Sequence, residues 1–137
     1  MDKNNNEIYE RILQFEERTS NNLNQIYLIK DSNNSQWYKA YEWSAYLLEF
    51  MTNNLQEKDR LKPLKKQLEN TNKTIINVGF PLTSIEKFCN PNIVEDKAVD
   101  GNQNITIRIK SSNNLSFENY KQNLNNWKNL FLIKMAN

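Results

Sequence analysis

The chain has 137 residues, with 18 Lys+Arg against 16 Asp+Glu, a net charge of +2, no histidine and one cysteine. That length predicts one domain around a single core. The missing histidine excludes Ser-His-Asp and Cys-His catalysis and histidine-ligated metal sites, and the lone Cys89 excludes an internal disulfide or a Cys-rich zinc site.

The first six residues are polar and read as a disordered tail with no apolar signal-peptide core. Glu7 to about Arg18 then predicts a helix with Ile8, Ile12 and Phe15 on its inner face. Ile26-Tyr27-Leu28-Ile29 is a continuous apolar run, the pattern of a strand buried on both faces. Asp31-Ser32-Asn33-Asn34 is a turn, and Gln36 to Ala40 reads as a second strand paired back on the first. A well-buried helix follows from Tyr41 or Glu42 to about Leu55, with Ala45, Leu48 and Met51 on one stripe.

Pro63, set among Lys58, Arg60, Lys62, Lys65 and Lys66, disfavours both a helix interior and a central strand. An edge strand or loop is expected there. Thr74 to Val78 is a strand ended by Gly79-Phe80-Pro81. Thr83-Ser84-Ile85-Glu86 has the spacing of a capping box opening a short helix to about Cys89. Residues 90–104 read as a polar loop, with a flexible stretch around Asp100-Gly101. Ile105 to Lys110 alternates strictly, predicting a strand with isoleucines inward and Arg108 and Lys110 outward. Ser116 caps a last helix within 111–137, whose stripe is Phe117, Tyr120, Leu124, Trp127 and Phe131. The expected class is α/β or mixed α+β: one domain over 1–137, a mixed central sheet of four to five strands, and three to four flanking helices.

The 25 asparagines scatter as pairs in expected turns, which fits a residue that tolerates left-handed backbone where only two glycines are present. No apolar run approaches the ~20 residues of a membrane span, so a soluble, cytoplasmic protein without membrane contact is expected.

There is no phosphate-cradling glycine loop. Glu16-Glu17 and Glu95-Asp96 read as solvated charge, and Cys89 as a structural thiol. No catalytic residue, metal or cofactor is expected, so the chain reads as a non-enzyme. The densest unusual chemistry is Gln36-Trp37-Tyr38-Lys39-Ala40-Tyr41-Glu42-Trp43, four aromatics with a cation among them. Strand alternation puts Trp37 and Lys39 on one face, an arrangement suited to base stacking with phosphate contact. Tyr38 and Tyr41 fit the core and would seat the segment. Lys62, Lys65 and Lys66, with Arg108 and Lys110, would extend a backbone-binding stripe if they shared one sheet edge.

These residues resemble the N-terminal mismatch-recognition domain of MutS proteins. That domain places a buried strand before an aromatic-x-Glu strand and a helix with a small residue at fixed offset, similar to Ile26–Ile29, Trp37–Tyr41 and Ser44-Ala45. It later has a strand ending Gly-[Ile/Val]-Pro before a short helix, similar to Ile75 to Pro81 and then Ser84 to Phe88. The resemblance spans roughly residues 7 to 110. It implies that Trp37 stacks on a base. Lys39 stands where the family has a glutamate that bonds the mispaired base, and lysine cannot accept that bond. This implies weaker mismatch discrimination and more backbone affinity. The chain ends where full-length MutS continues into clamp and ATPase domains, so it is not expected to act alone as an ATP-driven sensor.

The size and the aromatic-basic stretch are also similar to small MutS-like accessory proteins of diversity-generating retroelements. That resemblance implies a non-catalytic helper that binds template RNA, cDNA or their duplex, or docks on the reverse transcriptase. The other class weighed is a protein-interaction module docking on a reverse transcriptase or another partner without nucleic-acid contact, with the exposed aromatic as its hot spot.

Overall fold

The computed structural model describes residues 2–19, 21–30, 36–51, 63–67, 74–85, 94–101, 103–110 and 118–136; at 2–8, 50–51, 66–67 and 131–136 it describes the backbone alone. The elements in chain order are α1 (Asp2–Glu16), β1 (Gln25–Lys30), β2 (Trp37–Tyr41), α2 (Glu42–Met51), β3 (Leu64–Gln67), β4 (Thr74–Pro81), a 3-10 turn (Leu82–Ser84), β5 (Val94–Val99), β6 (Ile105–Ile109) and α3 (Tyr120–Ala136). The strands form one sheet in the order β3-β4-β2-β1-β6-β5, and every neighbouring pair is antiparallel. The class is thus mixed α+β. The expected mixed sheet of four to five strands is corrected to a six-stranded antiparallel one.

Cross-strand pairing assigns the faces, since directly opposed residues share one side. One face carries Ile26 and Leu28 of β1, Tyr38 and Ala40 of β2, Ile76, Val78 and Phe80 of β4, and the three isoleucines of β6. These cluster with Trp43, Ala45, Leu47 and Leu48 of α2 and with Tyr120 and Trp127 of α3. Trp43 and Phe80 are the largest fully buried side chains, each contributing about 2–3 kcal/mol of transfer free energy. The Trp43 indole N–H still reaches a partner, donating to the Leu23 carbonyl at 2.8 Å. The opposite face is covered over part of its area by α1, where Ile12 packs with Tyr41 and Ile75, and Tyr9, Leu13 and Ile29 adjoin them.

The turn from β2 into α2 is sharp. Glu42 sits at φ 49°, a left-handed conformation unusual for a residue with a side chain. Its buried carboxylate holds the corner, accepting from the Ile76 N–H at 3.0 Å and from Lys128 Nζ at 2.7 Å. Lys128 also donates to the Thr74 carbonyl at 2.8 Å, so one lysine ties α3 to α2 and β4.

Several expectations move. α1 begins at Asp2, so most of the expected 1–6 tail is helical, and the helix ends at Glu16 rather than Arg18. Phe15 is 65% exposed, not on the packed face. β1 is only half-covered on its α1 side, at Tyr27 and Ile29. β4 runs on through Gly79-Phe80-Pro81, because Trp37, Tyr38 and Lys39 continue its pairing. Pro81, not Thr83, stands at the N-terminus of the following turn, and no side chain caps it. Residues 94–99 form a strand within the expected loop, paired to β6. Pro63 stands just before an edge strand, as its chemistry requires. Cys89, Glu86, Phe88, Ser116 and Phe117 lie outside the described residues.

Candidate nucleic-acid interface

β2 separates the aromatics of the sequence motif by strand alternation. Trp37 and Lys39 project from the α1 side of the sheet, and Tyr38 and Ala40 from the core side. Trp37 is 37% exposed and Lys39 half-buried, whereas Tyr38 is 7% exposed. Tyr38 packs against Phe80, and its hydroxyl donates to the Gln103 carbonyl at 3.1 Å. It is therefore removed from the expected binding residues and acts as the seat of the strand. Tyr41 is buried under α1, edge-on to Tyr9.

The floor beside Trp37 is set by Gly79, directly opposite Lys39 on β4. A methyl group at Gly79 would meet Lys39 Cγ at 3.5 Å and Trp37 Cε3 at 3.6 Å, ordinary contact distances. Its backbone conformation is not left-handed, so no turn demands glycine here. What the missing side chain does is leave a strip of backbone that Trp37 Cε3 and Lys39 Cγ lie close to. An exposed indole over such a strip, with an ammonium from the same strand two residues away, offers a π-face and a cation on one surface.

Of the other expected basic residues, those described do not line up with this surface as one stripe. Lys65 is exposed on edge strand β3, paired with Ile76, which puts it on the core side of the sheet plane. Lys66 pairs with Ile75 through its backbone, and its side chain lies outside the described residues, as does all of Lys62. Arg108 is exposed on β6 on the same side as Trp37, opposite Gln25 and Asp96, and Lys110 is exposed just beyond the strand. Three strands separate β3 from β6, about 19 Å across at ~4.8 Å per step, so Lys65 and Arg108 do not share one sheet edge. Lys65 and Arg108 are thus separate basic points, and Lys39 stands on the same face as Trp37, two residues along β2.

Sequence reasoning missed a buried polar network where α1, β1 and α2 meet. Glu16, read as solvated charge, is buried; only Glu17 is exposed. Arg18 Nη2 donates to Glu16 Oε1 at 3.1 Å and to Ser44 Oγ at 2.8 Å, and Nη1 donates to the Asn22 and Gln25 carbonyls, both at 2.7 Å. The Ser44 N–H donates to Glu16 Oε1 and its hydroxyl to Oε2, both at 2.8 Å. The guanidinium lies 4.4 Å from the centre of the Tyr27 ring. Arg18 Nε is buried without a hydrogen-bond partner. Burial pushes the Glu16 carboxyl above its ordinary range, while Arg18 and Ser44 pull it down. The network fixes the end of α1, the start of α2 and the entry to β1. Nothing in its spacing marks it, because Glu16 and Arg18 meet only through the chain reversal after α1.

Among the described residues, no group of three or more His, Cys, Asp or Glu is placed to hold a metal ion, and no helix is long and apolar enough to cross a membrane. No protein-family model, curated protein or solved structure matches the chain.

Proposed function

We propose that the protein is a non-catalytic nucleic-acid-binding accessory, MutS domain I-like, whose contact surface is the Trp37–Lys39 face of β2. The observation that carries this is the exposed indole lying against the Gly79 strip with Lys39 beside it. Exposed tryptophan is uncommon on a surface that can bury it, and base stacking is one use that repays the exposure. Lys39 supplies a phosphate contact without base readout, consistent with affinity that is general rather than mismatch-specific. Assistance to a retroelement reverse transcriptase, through template RNA, cDNA or their duplex, is the setting that the resemblance supports.

The test is binding of wild type and Trp37→Ala to labelled matched duplex, mismatched duplex, single strand and RNA–DNA hybrid at two salt concentrations. The reading predicts binding that weakens with salt and falls by roughly 1–3 kcal/mol in Trp37→Ala. Salt-insensitive binding to a protein partner, with none to any nucleic acid, favours the docking module instead.

A further inference from the structure

Strand alternation puts a second aromatic on the Trp37 face. Trp37, Lys39 and Tyr41 all project to the α1 side of β2, with Tyr41 about 13 Å along the strand from Trp37. Trp37 is exposed and Lys39 half-buried, but α1 covers Tyr41. Tyr9 stands edge-on to it at 6.1 Å, and Ile12 packs with it and Ile75. The cover is held unevenly. Of the described α1 side chains, Tyr9 to Glu16, only Ile12 and Glu16 are buried, and Phe15 is 65% exposed. Glu16 fixes the C-terminal end, where Ser44 donates to both of its oxygens and Arg18 to one. By contrast, α2 buries Trp43, Ala45, Leu47 and Leu48. A helix of 15 residues is marginal on its own, so α1 keeps its place through those few contacts. Beside Tyr41 the same face holds an unmet acceptor. Asn77, directly opposite Tyr41 on β4, is 8% exposed, and its Oδ1 is buried without a hydrogen-bond partner. An acceptor left buried and unbonded is unfavourable, and uncovering this face would let water or a ligand donor satisfy it.

We infer that α1 is a displaceable cover pivoting on Glu16, and that a single strand binds with α1 lifted, one base stacked on Trp37 and another on Tyr41. The inference rests on the nucleic-acid reading above and adds to it a second stacking residue and a controlled form of the site. An aromatic-Lys-aromatic stripe on one face of a strand is a surface for unpaired bases, with the ammonium between them for the backbone phosphate. In the closed form only the Trp37 end of that stripe is offered. Lifting α1 also opens the face on which Asn77 lies, and its carboxamide both accepts from and donates to base edges. Opening and binding are then linked. The apparent affinity is that of the open form scaled by the fraction of molecules that are open, so a change that loosens α1 without touching β2 tightens binding.

The test follows binding of a thymidine dodecamer by wild type, Ile12→Ser, Ile12→Ser/Tyr41→Leu and Trp37→Ala, and amide exchange of wild type with and without the dodecamer. Ile12→Ser loosens α1 and leaves Glu16, Trp37 and Lys39 in place. Leucine at position 41 keeps an apolar contact on the sheet but has no ring to stack. The expected result is about tenfold tighter binding by Ile12→Ser, with the gain lost in the double variant. In wild type the dodecamer should speed exchange of the α1 amides by about tenfold while those of β4 hold, the opposite of what a ligand bound to the closed protein does. That readout needs no variant to fold. If Trp37→Ala weakens binding but the dodecamer leaves α1 exchange unchanged or slower, the cover is overturned and the Trp37 site stands. Wild-type affinity in a folded Ile12→Ser overturns it equally, as does binding of a matched duplex without binding of the dodecamer. If wild type binds neither ligand, both readings fall.

Discussion

At Glu16 the burial that raises the carboxyl above its usual range opposes the pull of Arg18 and Ser44. The folded value lies above the unfolded one, so the folded state binds the proton more tightly. The stability this contributes is complete below about 4.5 and is lost as pH rises through the folded value. Urea unfolding of wild type and Glu16→Gln from about pH 4 to about pH 8 reads this directly. The stability of wild type relative to the variant should fall as pH rises; a relative stability that climbs with pH contradicts the assignment. Arg18→Met removes four donated bonds and strands Glu16, and should cost about 3–5 kcal/mol at neutral pH in the same assay. None of this was legible in the sequence. Adjacent acidic residues near a helix end look like solvent-facing charge, and the burial of one of them depends on Ser44, 28 positions away.

Strands and helices were more readable where one face is buried and the other is not. β6 alternates because Ile105, Ile107 and Ile109 enter the core while Arg108 faces out. Alternation marks β2 as a strand, though the burial of Tyr38 and the exposure of Trp37 are settled only by which face α2 covers. β5 carries no such signal because Glu95 to Val99 is exposed throughout, so no buried face imprints a period on it. At β4, Gly79 supplies a prediction about the Trp37 face of β2. Gly79→Ala should fold normally, with a stability change within about 1 kcal/mol, since its methyl meets only ordinary contacts. Gly79→Leu should retain the fold by circular dichroism but displace the indole and lose most nucleic-acid binding. Equal binding by the leucine variant would separate the strip from function.

Among the described residues, burial is concentrated where two layers meet. The sheet centre, β1, β2 and β4, is covered by α2 and α3 on one side and partly by α1 on the other. β5 lies at the outer edge with most of its side chains in solvent. Amides of β5 should therefore exchange with solvent earlier than those of β1 and β4, by at least an order of magnitude in protection. Hydrogen exchange read by NMR checks this; equal protection in β5 and β4 contradicts the layered account. The class, the central hairpin and the last strand followed from periodicity. The antiparallel order did not, because long connections leave strand direction open until the helices choose their faces.

The measurement that bears most directly on the central claim is the salt dependence of single-strand binding for wild type, Trp37→Ala and Lys39→Gln. The account predicts that Lys39→Gln lowers the slope of log K against log salt by about one, while Trp37→Ala keeps the slope and loses about 1–3 kcal/mol at every salt concentration. Wild-type slope and affinity in both variants would contradict it, and would remove the Trp37–Lys39 face from any role in nucleic-acid contact.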